Sequence, residues 1–196
     1  MIIDISQEVF GCAVFPGDPS PAGKRIMSIA DGDVCNLTSI EMCAHNGTHV
    51  DSPFHFYNDG KTIDEVPLDK FVGPCYVAEH NGDVTASDAD GILVRARNAG
   101  SSAERILLKG KCTVTEGAAG VFAGNNVKLI GNESQTVGPE DAPAAVHYIL
   151  LKAEVVLLEG IRLTDVPEGA YYLCAQPLNL AGIDGAPCRA ILITEQ

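Results

Sequence analysis

Within eleven residues, His45-Asn46-Gly47-Thr48-His49-Val50-Asp51-Ser52-Pro53-Phe54-His55, the chain places three of its five histidines and an aspartate. Imidazole nitrogen and carboxylate oxygen are common ligands of a catalytic divalent metal, because they bind firmly and can leave a coordination position open. Four unconnected surface polar residues are the plainer alternative, but packing gives no reason to collect them around a Gly-Thr step. The make-up of the segment points to metal-assisted chemistry. Histidine with carboxylate suits Zn²⁺, and Mn²⁺ accepts the same donors.

Spacing limits the local backbone. His45, His49, Asp51 and His55 are all odd-numbered, so an extended strand would send them to one face. A straight strand, at roughly 3.3 Å per residue, would hold His45 and His49 about 13 Å apart. Ligand atoms must lie about 2 Å from a shared metal, so that is too far. A helix would bring positions i and i+4 together, but Gly47, the β-branched Thr48 and Val50, and Pro53 disfavour one. What remains is a strand that bends at Gly47, where a missing Cβ permits positive φ. The expectation is a bent strand or loop in which His45, His49 and Asp51 converge on a metal, with His55 nearby.

The elements that must carry this segment follow from periodicity and turn residues. Residues 2–6 and 25–30 read as strands, separated by an irregular loop at Pro16, Gly17, Asp18, Pro19 and Pro21. Residues 36–44 alternate apolar and polar side chains and read as a strand that delivers the metal motif. A turn follows at Tyr57-Asn58-Asp59-Gly60-Lys61. Further strands are expected at 74–78, 106–109, 127–130, 155–159, 171–176 and 189–194. Helices are expected from Ser87 toward Ala99, from Thr115 to Ala123 and over 139–152, the last with Pro139, Glu140 and Asp141 at its amino end. No internal repeat and no linker-like break appears, so residues 1–196 read as one α/β domain with a mixed β-sheet and packed helices. By residue type His147, expected on the last helix, reads as a hydrogen-bonded, half-buried histidine. Glu159 ends the apolar run Val155-Val156-Leu157-Leu158 and must find a cation, a metal or water. His80, beside Asn81-Gly82-Asp83, reads as a solvated turn residue.

The pattern His-x-Gly-Thr-His-x-Asp-x-Pro-x-His resembles the signature of the cyclase family of metal-dependent hydrolases, which includes bacterial kynurenine formamidases and isatin hydrolases. The resemblance extends to Asp4-Ile5-Ser6 and Phe15-Pro16-Gly17-Asp18 near the amino end. It continues through Val146-His147 and Leu157-Leu158-Glu159-Gly160 to the segment from Pro177 to Ala190, which is similar to the family's closing hairpin. It implies a swivelling β/β/α-like fold and one or two divalent ions per chain. His45, His49 and Asp51 would form the first metal site; Asp51, His147 and Glu159 would form the second, with Asp51 bridging. His55 matches the acid/base position, and imidazole exchanges protons near neutral pH. Thr48 is placed to orient ligands or water from behind, or to serve as a β-branched strand residue.

The implied reaction is hydrolysis of an amide-type C–N bond in an aryl formamide or small cyclic amide, N-formylkynurenine leading. Phe15 stands where kynurenine formamidases usually carry Trp, and Asn132, near Ser134, where many relatives have Asp. These departures bear on substrate more than on metal chemistry. Phe15, Phe54, Phe56 and Tyr57 would wall a flat substrate, or simply pack the core. Hydrolysis or lactonisation of another cyclic compound is the runner-up. A catalytically silent metal- or ligand-binding module is a third possibility, and the intact His55 argues against it. Relatives are commonly dimers or higher assemblies, and amino-terminal loops can complete a neighbour's pocket, so a homo-oligomer, a dimer or tetramer, is expected, with residues 10–21 as the segment available for this.

Composition excludes other classes. The chain has 196 residues, 46% of them hydrophobic and 20% charged, which suits one folded domain and not a disordered segment. A formal net charge of −13 argues against nucleic acid as a partner and against anionic lipid. Met1-Ile2-Ile3-Asp4 lacks the basic start of a signal peptide. The most apolar stretch, 146–158, is broken by Lys152 and Glu154 and is too short to span a bilayer. Seven scattered cysteines without Cys-x-x-Cys spacing favour reduced thiols, and so a cytoplasmic location, over a disulfide scaffold. Cys43 and Cys188 read as small buried hydrophobes. A small molecule is the expected partner.

Overall fold

Alternation along the apolar runs divides the core in two. Ile106, Leu108 and Leu157 face one buried cluster, whereas Leu107, Val156 and Leu158 face another. Period-two alternation with both faces covered marks strands at the centre of an α/β sheet.

The computed structural model describes residues 1–194. Its strands are β1 (Ile2–Asp4), β2 (Ala22–Met27), β3 (Leu37–Glu41), β4 (His49–Asp51), β5 (Val72–Glu79), β6 (Gly82–Val84), β7 (Arg105–Lys109), β8 (Cys112–Val114), β9 (Leu129–Asn132), β10 (Val156–Glu159), β11 (Gly169–Cys174), β12 (Gly185–Pro187) and β13 (Ile191–Ile193). The helices are α1 (Ala86–Asn98), α2 (Glu116–Gly124) and α3 (Ala144–Lys152). Nine strands form one curled mixed sheet in the order β1-β13-β11-β5-β7-β9-β10-β4-β12.

Parallel strands need long crossovers. Here α1, α2 and α3 connect β5 to β7, β7 to β9 and β9 to β10, all of them parallel neighbours. Ile92, Leu93, Phe122 and Leu150 of the helices pack on one face of the sheet. Phe71, Leu129, Leu173 and Leu192 fill the other. Antiparallel strands flank both sides, and β4 lies between β10 and β12. The carboxyl end of β10 therefore carries Glu159 to β4, the strand that bears the metal motif, while β9 ends on Asn132 one strand further away. Ligands of open α/β sheets bind beyond such ends.

Several boundaries differ from the sequence expectation. The residues expected as one strand over 25–30 are β2 followed by a 3₁₀ turn at Ile29–Asp31. The strand expected at 36–44 is β3, and it pairs only with β2 in a separate two-stranded arm before the chain turns into the metal motif. Thr85, not Ser87, caps α1, because Thr85 and Asp88 close a reciprocal capping box. Helix α3 begins at Ala144 and not at Pro139, since Pro143 lacks an N–H and biases the preceding residue away from helix. The short parallel pair β6–β8 was not expected, whereas β12 lies in the segment that resembles a closing hairpin. Thr115 caps α2 as expected. All seven cysteines are free, but Cys43 and Cys188 are half-buried where full burial was expected. Among the described residues no helix is long and apolar enough to cross a membrane.

Candidate metal centre

Strand register assembles the site. On β4 and β10, His49 lies directly opposite Glu159, and Asp51 lies opposite Leu157. Directly paired residues project to the same face, and Leu157 faces the helices. His49, Asp51 and Glu159 therefore all point toward α3, which supplies the buried His147 from above. His45 reaches the same place by the bend expected at Gly47, whose φ is +68°. Both groupings drawn from the sequence come together: the ligand atoms of His45, His49 and Asp51 lie within 4.8 Å of one another, as do those of Asp51, His147 and Glu159.

Hydrogen bonds fix which nitrogens are free. Nδ1 of His49 donates to the Gly47 carbonyl at 3.1 Å, and Nδ1 of His147 donates to the Pro143 carbonyl at 2.9 Å. Carbonyls only accept, so each neutral ring has its lone pair on Nε2. Nε2 of His49 is buried without a hydrogen-bond partner. It faces Asp51 Oδ1 and Glu159 Oε2, each at 3.4 Å. Nε2 of His147 faces Glu159 Oε1 at 3.4 Å and Asp51 Oδ2 at 3.7 Å. Lone pairs converging in a buried space repel unless a cation lies among them. This donor set, nitrogen and oxygen at the right separation, fits a divalent ion.

Protonation shows the same demand for positive charge. Burial opposes charging of His45, but the Asp51 carboxylate and the hydrogen bond to Asp184 outweigh it and raise the pKa to about 11. Burial likewise opposes a charge on His49, and Asp51 and Glu159 overcome it, giving about 9. His147 shifts upward against its own burial because of Glu159 and Asp51. Asp51 falls well below the usual carboxylate range, since His45 and His49 outweigh its burial. Without a metal, protons crowd onto the rings.

Behind the donors, Thr48 Oγ1 donates to the Gly160 carbonyl at 2.7 Å and accepts the Gln7 N–H at 2.9 Å. Gln135 Nε2 donates to the same Gly47 carbonyl that takes His49 Nδ1, at 3.1 Å. Glu159 Oε1 is held by the Val137 N–H at 2.8 Å. Asn132, also buried, donates from Nδ2 to the Thr136 carbonyl at 2.8 Å. A cavity of about 200 Å³ opens over the donors, walled in part by Phe15, Asp18, Phe56, Gln135 and Pro143. Phe15 and Phe56 face it; Phe54 and Tyr57 do not line it, and Tyr57 instead donates to the Tyr148 carbonyl at 2.8 Å. Phe56 stacks on His147 with centroids 4.7 Å apart.

His55 lines the cavity rather than joining either Asp51 grouping, and its Nδ1 lies 3.2 Å from Asp184 Oδ2. His80 stays outside, bonding the Asp83 carbonyl on the surface as expected. The residues missed from the sequence are Asp184, Gln135 and Asp18. None stands in the histidine motif, and Asp184 is brought alongside only by the β12–β4 register.

Comparison with known proteins places these features in context. The family described as "Putative cyclase" matches residues 3–108. A kynurenine formamidase of Salinibacter ruber is 35% identical over 97% of this chain and 96% of its own length. One from Erythrobacter litoralis is 31% identical, covering 97% of this chain and 93% of its own. A solved structure described as a potential metal-dependent hydrolase with cyclase activity superimposes with a TM-score of 0.82 at 28% identity, over 100% of this chain and 99% of that one.

Proposed function

The chain belongs to the cyclase family, and from that membership we propose that it is a metal-dependent hydrolase cleaving the C–N bond of an aryl formamide of the N-formylkynurenine type. One observation carries the metal half of this reading: the unpartnered Nε2 of His49 and the Nε2 of His147 both face Asp51 and Glu159. The formamide half is supported by the two formamidase relatives and by a small cavity with the aromatic rings of Phe15 and Phe56 in its wall. Its volume, about 200 Å³, suits a one-ring molecule better than a polymer.

In this reading His45, His49 and Asp51 would hold one ion, and Asp51, His147 and Glu159 would hold a second, Zn²⁺ or Mn²⁺. Such an ion supplies a Lewis acid for the carbonyl and lowers the pKa of bound water to about 7. The protein's own groups do the rest. His55 accepts a proton from the attacking water as the new C–O bond forms. It returns that proton to the nitrogen as the C–N bond breaks, releasing the aryl amine and formate. Phe56 fixes the His147 ring, and Phe15 shields the site from bulk water.

The test is a panel of N-formylkynurenine, isatin and an aromatic lactone, assayed with the full chain loaded with Zn²⁺ or Mn²⁺. The formamide is expected to turn over fastest. Faster isatin or lactone cleavage overturns the substrate, and no turnover with either ion leaves a silent binding module.

We also propose a homo-oligomer, a dimer or tetramer. Ile26, Leu37 and Ile40 on the β2–β3 arm, with Val34 at its tip, are exposed apolar side chains on an element that joins no other sheet. Sedimentation velocity is expected to give a mass of two or four chains, and Ile26→Glu with Ile40→Glu to reduce it to one. A wild-type monomer at micromolar concentration overturns this proposal. Seven free thiols support a reducing, cytoplasmic setting.

A further inference from the structure

We propose that Asp184 is a positioning residue that sets, through one carboxylate oxygen, the tautomers of both His45 and His55. The inference rests on the metal-dependent reading above and names a group outside the histidine motif.

The Asp184 backbone is pinned to that motif. Its carbonyl accepts both the N–H and the hydroxyl of Ser52, each at 2.9 Å, and the neighbouring Ile183 carbonyl accepts the Ile63 N–H at 2.9 Å. The next residue must be small. A Cβ on Gly185 would lie 2.7 Å from the Val50 carbonyl oxygen and 2.9 Å from His45 Cε1, so glycine alone lets the His45 ring lie against this strand. Asp184 Oδ2 then stands 2.7 Å from His45 Nε2 and 3.2 Å from His55 Nδ1. The two rings lie face to face, centroids 4.1 Å apart and tilted by 32°.

A carboxylate accepts and does not donate, so both nitrogens that face it carry hydrogen. The consequences for the two rings differ. In the metal-free chain His45 Nδ1 donates to Asp51 Oδ1 at 2.8 Å; with an ion bound beside Asp51, Nδ1 would be the nitrogen free to ligate, because Asp184 keeps the hydrogen on Nε2. His55 is left with its lone pair on Nε2, the nitrogen that must take the proton from water. Free imidazole side chains favour the Nε2–H form. Asp184 therefore reinforces the ordinary tautomer of His45 and reverses that of His55. Without Asp184, His55 would meet the water with a hydrogen already on Nε2.

The experiment uses the zinc-loaded full chain, which is diamagnetic. Long-range ¹H–¹⁵N spectra report the protonated nitrogen of His55, chelator competition reports zinc affinity, and kinetics on an aryl formamide separate kcat from KM. Wild type is expected to show Nδ1–H at His55. Asp184→Ala is expected to show Nε2–H, a kcat lower by about 10- to 100-fold with KM little changed, and zinc affinity reduced within about the same range. Zinc stoichiometry should not change. Asp184→Asn keeps an acceptor oxygen and should restore Nδ1–H and most of kcat. Asp184→Ser, too short to reach both rings, serves as the deletion if the alanine variant does not fold.

An unchanged His55 tautomer in the deletion variant overturns the proposal. So does loss of one zinc per chain, which would make Asp184 a ligand together with His45 and His55. A wild-type chain that takes up no zinc sinks the metal reading instead, and the His55 tautomer in that same chain still decides the role of Asp184.

Discussion

Asp51→Ala is expected to remove metal from both groupings at once and to cut turnover by at least about a thousandfold. Asp51 is the one side chain that belongs to both. Its Oδ1 faces His45 Nδ1 at 2.8 Å and His49 Nε2 at 3.4 Å, while its Oδ2 faces His147 Nε2 at 3.7 Å. Losing any other donor leaves one grouping intact, but losing Asp51 leaves neither. A Lewis acid at a reacting carbonyl contributes several kcal/mol, and about 4 kcal/mol corresponds to about 10³-fold in rate. The metal-free protein should suffer as well. Asp51 is buried and balances the rings of His45 and His49, and removing one member of such a buried set typically costs about 3–5 kcal/mol. Element analysis of the purified variant, with denaturant unfolding beside it, checks both effects. An Asp51→Ala protein that retains the wild-type metal content would show that the ion is held elsewhere.

How much of this centre the sequence discloses depends on how local each contact is. His45, His49 and Asp51 lie within seven residues, and the conflict between their spacing and a straight strand already forces the bend that Gly47 makes with φ +68°. His147 and Glu159 are different. Nothing in their spacing brings them together, since the approach of α3 over β10 is a matter of packing; family resemblance pointed to them where residue type alone favoured a bland role for His147. Asp184 lies in the segment that resembles a closing hairpin, but its role was not legible, because it is 129 residues from His55 and arrives by way of β12, a three-residue strand too short to show alternation. The same shortness hid β6 and β8.

Among the larger elements, the errors were ones of competition between plausible signals. Ser87 and Thr85 both carry capping hydroxyls, and the carboxylate of Asp88, three residues after Thr85, decided for Thr85. Pro139 fits a helix start as well as Pro143 does, but a helix begun at 139 would have to pass through the second proline. The strand over 36–44 was recognised by its alternation, yet its apolar side faces outward on an arm and not into the core. Alternation reveals a strand and a face; it does not say what covers that face.

His55→Ala is expected to keep its metal and lose most of its turnover. The two groupings that share Asp51 are complete without His55. The ring differs from the other candidates in exposure: its side chain is 28% exposed, against 1% for His49 and 4% for His147. It is nonetheless held firmly, stacked on His45, set edge-on to Phe56 at 4.7 Å and tied at Nδ1 to Asp184. A ring held by these contacts in the wall of the cavity, outside both Asp51 groupings, suits the proposed proton exchange better than a place in a buried coordination shell. A positioned acid/base of this kind contributes about 10²- to 10⁴-fold, so kcat should fall by that factor with KM and metal content little changed. Added imidazole should recover part of the rate, because the deletion leaves a space of the same shape beside Asp184 and the Lewis acid intact. If metal disappears along with activity, His55 is a ligand in company with His45 and Asp184, and the proton must be carried by another group.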